Sequence, residues 1–414
     1  MAKADMIAGL DMGSGRLTCL IGAPEPETGR VRVLGGASVA CRGISAGGVV
    51  DLLESRSAVE QVLSAAEAAA GNVTVTGVFL GVRGAHLQSF NKKGALNIAR
   101  SDREITAGDV QTVVANATTI PLSFDQEILH VVPQSFSLDR QRGMPNPVGM
   151  EGSTLEVDVH IVTASSTQIN SLVKSVAEAG FAVVDVIYGL LAAGDQLVTP
   201  EEKELGTLLV DFGGQSLSVG VYAEGSLRYS KELGIGADYI TRDLAVGLHT
   251  SIATAERLKI AHGIAHISRL NGDKAVEFPR VDGRTLERVK PSGMMRFILP
   301  RVEEIFDMVA DDLKKSTCTD LVSAGGLILT GGGTSMQGIT AAAEELLGLQ
   351  TRVGVAHPEQ VAGDEKWFSP TYATAMGLLT YGDPARRGLG ASRFSSRRKS
   401  AWLRRLQALL ADLF

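Results

Sequence analysis

The chain has 414 residues, of which 44% are hydrophobic, and three widely separated cysteines, Cys19, Cys41 and Cys318. That length suits two core-bearing domains, while an odd, scattered cysteine set argues against a disulfide framework or a zinc site and fits a reducing cytoplasm. The net charge of −6 is uneven: eight basic residues and one acid, Asp412, follow Pro384, so an acidic body ends in a basic terminus that suits an anionic partner.

The N-terminus shows no basic stretch leading into an uninterrupted apolar core, and no run approaches the roughly 20 apolar residues of a membrane span. Neither a signal peptide nor a spanning helix is expected. The first element is an apolar run ending in Asp11-Met12-Gly13-Ser14-Gly15 and followed by another apolar run. This reads as a strand, a tight glycine turn and a returning strand, with the Asp at the strand's end. A helix is expected over about Ser55 to Ala70. Residues from about 84 to 165 look like an inserted module. There Thr106 caps a helix carrying Val110, Val113 and Val114, and Leu155, Val157, Val159 and Ile161 alternate with Glu156, Asp158 and His160 as in a half-buried strand.

The opening motif returns about two hundred residues later as Asp211-Phe212-Gly213-Gly214-Gln215, within a hairpin over Gly206 to Tyr222. Leu327 to Thr330 then runs into the cluster Gly331-Gly332-Gly333-Thr334-Ser335, which opens a helical stretch from Gly338 to Leu347. Strand-like and helix-like patterns alternate throughout, which argues α/β layering with parallel or mixed sheets.

Glycine lets the backbone turn sharply and brings N–H groups close to an anion, while a neighbouring carboxylate can hold a cation or its waters. One such hairpin is commonly only structural. Two facing each other would grip a metal-bound nucleoside triphosphate from both sides, and the strand-to-helix junction near Gly331 suits close approach of a flat or anionic ligand.

Residues 383–399 form a Gly, Ser and Arg linker without apolar period, and 400–414 read as an amphipathic helix. At about 100° per residue, Trp402, Leu403, Leu406, Leu409, Leu410, Leu413 and Phe414 share one face, with Arg404 and Arg405 on the other. About fifteen helical residues extend only about 22 Å, too short to cross a bilayer but suited to the headgroup region of an anionic membrane. The plain alternative is a terminal helix packed on the protein's own core or on a partner helix.

These residues resemble the actin-like ATPase superfamily and, within it, the FtsA family of bacterial cell-division proteins. The superfamily's phosphate loops look like Asp11 to Arg16 and Asp211 to Ser216, and its adenosine motif like Thr330-Gly331-Gly332-Gly333. Narrower strings in FtsA order are His130-Val131-Val132-Pro133-Gln134, Asn146-Pro147-Val148-Gly149, Thr241 to Ala245, Glu256 with Lys259, Pro300-Arg301, and Tyr372 to Leu379.

The resemblance implies an α/β actin-like, two-lobe fold with duplicated RNase H-like halves, an inserted 1C-type subdomain and a C-terminal amphipathic helix. Its parts would be the first lobe at 1–83 and 166–205, the insertion at 84–165, and a second lobe at 206–382 with a smaller insertion over about 232–320. The linker at 383–399 and a membrane-targeting helix at 400–414 would follow.

It further implies ATP contacts by Gly13, Ser14, Gly15, Arg16, Gly213, Gly214, Gln215 and Gly236, with Asp11 and Asp211 holding Mg2+ through water. Glu256 and Lys259 would lie at the ribose and adenine, and Gly332, Gly333 and Met336 would line the base pocket. Arg301 is the candidate contact with the acidic C-terminal peptide of the tubulin homologue FtsZ; as a surface Arg it could equally support its own helix. The implied function is an adaptor on the cytoplasmic face of the inner membrane at the division site. It would polymerise, anchor FtsZ filaments and recruit later division proteins through the insertion.

Three departures stand out: Gln215 where relatives have a third Gly, Ser218 where a second Asp is common, and Leu191 where small residues are common. Nucleotide binding survives these more readily than fast hydrolysis, and no residue stands out as a general base. The rival readings are a sugar kinase or exopolyphosphatase-type enzyme on the same fold, and a type IV pilus actin-like adaptor.

Overall fold

A computed structural model gives the structure of the protein and describes residues 6–322 and 324–382. The linker and amphipathic helix expected over 383–414 lie outside the described residues.

The opening hairpin forms where its pattern places it. Ile7–Met12 pairs antiparallel with Arg16–Glu25, setting Asp11 opposite Thr18, and Gly13 N–H closes the turn on Arg16 O at 3.1 Å. On its other side Ile7–Met12 runs parallel to Gly77–Val82, which is parallel to Ala182–Tyr188. Every residue of Ile7–Met12 is buried, as expected for a central strand covered on both faces. The helix Leu52–Ala69 begins three residues before the expected Ser55, because Asp51 accepts a hydrogen bond from Glu54 N at 3.0 Å and caps the earlier turn. Its Val59, Val62, Leu63 and Ala66 bury one face against this sheet.

The second half repeats the plan. Thr207–Phe212 pairs antiparallel with Leu217–Ala223, with Asp211 opposite Ser218, and Gly213 N–H closes on Ser216 O at 3.0 Å. Thr207–Phe212 also runs parallel to Leu327–Thr330. In both sheets five strands lie third, second, first, fourth, fifth in their order along the half; the first sheet adds Val361–Ala362 at its edge, parallel to Arg30–Ala40. Such recurrence of order and register marks a duplicated unit.

Between Gly77–Val82 and the helix Ser166–Glu178 stands a separate sheet of Leu87–Asn97, Thr154–Ser165, Gln126–Leu138 and Gln141–Met144, covered by the helix Ala107–Ala117. Thr106 caps that helix in a reciprocal pair with Asp109, and Val113 and Val114 are buried beneath it. The alternation in Thr154–Ser165 holds as far as Val159, and from His160 onward both faces are buried. His160 is buried because the second lobe's Ser226–Leu233 covers the outer face, placing Ser230 Oγ 2.8 Å from His160 Nε2.

Two further contacts set the site. The helix Gly189–Leu197 crosses the helix Ala373–Gly382 so closely that a Cβ on Gly377 would stand 1.9 Å from Ala192 O. Leu191, next to Ala192, is buried in the first-lobe core, where the larger side chain is accommodated. Ala373–Gly382 follows the second lobe yet packs on Ile7–Met12, and so brings Thr374 back between the lobes.

Candidate nucleotide cleft

The two glycine turns share their closing hydrogen bond, from Gly13 N to Arg16 O and from Gly213 N to Ser216 O. Among the described residues, the N–H groups of Ser14, Gly15, Gly214 and Gln215 donate to no protein acceptor. Each turn therefore offers backbone donors to an anion. The second turn is docked on the start of the helix Ala237–Gly247, where Ala237 N and Asp238 N donate to Gly213 O and Gly214 O at 3.0 and 2.8 Å. Gly236 permits that docking, since a Cβ there would stand 2.5–2.6 Å from both carbonyl oxygens.

Behind this turn Lys259 is buried, its Nζ donating to Ala237 O at 3.1 Å and Thr241 Oγ1 at 2.8 Å and pairing with Glu256 Oε2 at 2.7 Å. Glu256 and Lys259 are thus brought together at the root of the helix carrying Gly236. Gly333 lies against the Phe212 ring, Met336 packs on the second-lobe core, and a Cβ on Gly332 would meet nothing within 4 Å. Gly15 and Arg16 sit at the outer edge of the first turn. Gly15 is exposed, with its carbonyl accepting from Cys41 N, and the Arg16 side chain donates to Ser38 Oγ at 3.0 Å on the neighbouring strand.

Sequence reasoning missed the residue that joins the halves. Arg83, just past Gly77–Val82, is 8% exposed and lies between the lobes. Its Nη2 is 2.9 Å from Asp11 Oδ2 and 3.0 Å from Thr374 Oγ1, and its Nη1 is 3.1 Å from Asp211 Oδ2. Burial works against this charge, but Asp11, Asp211 and Glu232 outweigh it and hold the guanidinium above its ordinary pKa. Glu232 accepts from Gly84 N at 2.9 Å and from Tyr188 Oη at 2.8 Å, and burial pushes its pKa up to about 7. The available signal was a cation at the carboxyl end of a buried parallel strand, the edge where α/β sheets gather ligands.

A magnesium ion held through water by Asp11 and Asp211, as expected, would have to share both carboxylates with Arg83. Both Asp11 oxygens lie within 3.0 Å of Arg83 Nη2, and the guanidinium fills the space between the carboxylates. Asp211 Oδ1, buried without a hydrogen-bond partner, faces Gly331, where a Cβ would stand 2.3 Å away. No group of three or more His, Cys, Asp or Glu that could hold a metal occurs among the described residues.

Arg301 lies apart from the cleft, on the long helix Pro291–Ser316. It is paired with Asp243 at 2.6 Å and with Glu304, and its guanidinium stands 5.7 Å from the Tyr239 ring. With Val246, Arg296, Phe297 and Pro300 it lines an open groove of about 380 Å³.

Over this framework, the sequence model of the family described as "Cell division protein FtsA" matches residues 208–377, and that of the "SHS2 domain inserted in FTSA" matches 84–163, the separate sheet. The chain is 32% identical to a cell division protein FtsA of Pseudomonas aeruginosa over 378 residues, covering 91% of this chain and 89% of the relative. It is 31% identical to that of Escherichia coli strain K12 over 420 residues, covering 99% and 98%.

The chain belongs to the FtsA family. Its fold is actin-like: a solved PilM-PilN type IV pilus biogenesis complex aligns with a TM-score of 0.67 at 17% identity, covering 91% of this chain and 98% of that one. MreB5 of Spiroplasma citri bound to ADP aligns at 0.54 and 11% identity, covering 93% and 98%. At such identities the likeness to the pilus protein shows shared architecture, while the FtsA relatives fix the family. The FtsA-family expectation and the two-lobe fold with its insertion therefore hold, and the chain is a cell-division protein.

Proposed function

We propose that this FtsA-family chain binds ATP between its two lobes, polymerises, attaches to the cytoplasmic membrane through residues 400–414 and anchors FtsZ filaments at the division site. The observation that carries the nucleotide part is the pair of glycine turns whose Ser14, Gly15, Gly214 and Gln215 N–H groups have no protein acceptor among the described residues. Glycines at 13, 213 and 214 let phosphates approach that backbone, Gly236 seats the second turn on its helix, and Gly332 and Met336, with Lys259 and Glu256, take ribose and base. Magnesium that accompanies ATP is carried on the phosphates, because the two carboxylates are already engaged by Arg83.

Nucleotide held by both lobes stabilises their closed arrangement, the form in which subunits stack. No helix among the described residues is long and apolar enough to cross a membrane. One short interfacial helix binds weakly, and a filament multiplies it. The open groove at Arg296 and Phe297 suits a short peptide with apolar and acidic residues, and later division proteins dock on the inserted sheet.

Liposome co-sedimentation with ATP tests this reading, comparing the full chain with one truncated after Gly382. The full chain should pellet with anionic vesicles and carry FtsZ with it, and the truncated chain should do neither. Equal pelleting of both forms, or of neither, overturns the adaptor reading and returns the soluble-enzyme alternative to the front.

A further inference from the structure

The cleft contains a cation that nucleotide binding alone does not require. Arg83 follows a buried strand, and Gly84, at φ +118° with its N–H on Glu232, turns the chain away behind it. The side chain therefore ends between Asp11 of the first lobe and Asp211 of the second, with Thr374 donating to Asp211 Oδ2 at 3.2 Å. Its Nη1 would be 3.7 Å from a Cβ on Gly213, so the guanidinium stands beside the second turn. One donor is unused: Arg83 Nε is buried without a hydrogen-bond partner. A guanidinium offers five donors in a rigid fork, and a buried one still lacking an acceptor suits an oxyanion or a water that an oxyanion displaces.

We propose that Arg83 is a built-in cation of the cleft. It neutralises Asp11 and Asp211, ties the lobes together before nucleotide arrives, and meets a phosphate at the Gly213 turn, so that binding does not depend on a divalent ion at these carboxylates. The phosphate part rests on the nucleotide reading above; the charge-neutralising part stands on the ion pairs alone. Removing the guanidinium would leave two buried carboxylates facing each other across the lobes, an arrangement that recruits a divalent cation.

The test uses the full chain as wild type, Arg83→Ser and Arg83→Lys, with two readouts. The first is binding of a fluorescent ATP analogue in Mg2+ and in EDTA. Wild type should bind in EDTA within about threefold of its affinity in Mg2+, whereas Arg83→Ser should lose about tenfold or more when Mg2+ is removed. The second readout is thermal unfolding with Mg2+ alone and no nucleotide. Wild type should be unmoved, and Arg83→Ser should gain at least about 2 °C.

A wild type that loses tenfold or more in EDTA, or is itself stabilised by Mg2+ alone, overturns the proposal. So does an Arg83→Ser protein as indifferent to Mg2+ as wild type. If no form binds nucleotide under any condition, the nucleotide reading and the phosphate contact fail together, and the unfolding arm alone decides whether Arg83 is the resident cation. If Arg83→Ser does not fold, the wild-type arms decide, with Arg83→Lys expected to keep the wild-type indifference to Mg2+.

Discussion

Gln215, in the second glycine turn, accepts hydrogen bonds from Ser45 Oγ and Ala46 N of the opposite lobe, both at 2.9 Å. Its amide also donates to Asp238 Oδ2 at 3.1 Å within its own lobe. The side chain that departs from the glycine of many relatives is thus a clasp across the mouth of the cleft. Replacing it with glycine should lower stability by about 1–2 kcal/mol, the net worth of one or two such bonds. The urea midpoint reads this, and amide exchange at residues 44–47 should quicken. Unchanged midpoint and exchange would show that the clasp holds nothing.

Glu232 gives the fold a pH dependence. Its folded pKa is raised to about 7 from an ordinary 4.5, so the native chain keeps a proton that the unfolded chain releases. The associated stability is complete below about pH 4.5 and is lost as pH rises through about 7. Glu232→Gln is neutral at every pH and removes that slope. Between about pH 5 and 8, wild type should lose up to ~3 kcal/mol relative to the variant. Denaturation curves that stay parallel across this range would rule out a protonated Glu232.

In the groove on the second lobe, Arg296 and Arg301 have different electrostatic partners. The charge of Arg301 is balanced by Asp243 and Glu304, whereas Arg296 has no ion pair among the described residues and stacks on Phe297 at 4.5 Å. An acidic peptide gains more from a cation that is not already neutralised. Arg296→Ala should weaken binding of a labelled FtsZ C-terminal peptide by about tenfold, as loss of a charge-assisted contact does. Arg301→Ala should chiefly loosen the pairing of its helix with the Asp243 helix, at a cost of ~1 kcal/mol or less for a partly exposed ion pair. Anisotropy titrations and melting curves separate the two, and the reverse ranking of peptide affinities would return the contact role to Arg301.

Gly236 should tolerate no side chain. Any Cβ meets Gly213 O and Gly214 O, so Gly236→Val must push the second turn away from its helix. Overpacking of this kind costs about 1–3 kcal/mol. ATP affinity should fall with it while the first hairpin remains intact. Wild-type ATP affinity in this variant would mean that the second turn does not hold phosphate.

What could be read in the sequence was local and repeated. Asp11-Met12-Gly13 and Asp211-Phe212-Gly213 are strand-end and turn residues whose roles are fixed by their immediate neighbours, and the structure gives them the same register and the same closing hydrogen bond. Beyond its place at the carboxyl end of a strand, the role of Arg83 was not legible, because its partners Asp11, Asp211 and Thr374 lie on three segments remote in sequence. His160 was misplaced for a similar reason: alternation predicts which face a side chain takes, not that a strand from the other lobe will cover it. The early start of the helix at Leu52 reflects its cap, Asp51, which accepts from Glu54 N.

The most direct measurement is an experimental structure of the full chain with a non-hydrolysable ATP analogue. The account predicts phosphates between residues 13–15 and 213–215, within reach of the Arg83 guanidinium, and the base beside Lys259, Gly332 and Met336. A nucleotide bound elsewhere, or none between these turns at saturating analogue, would contradict it.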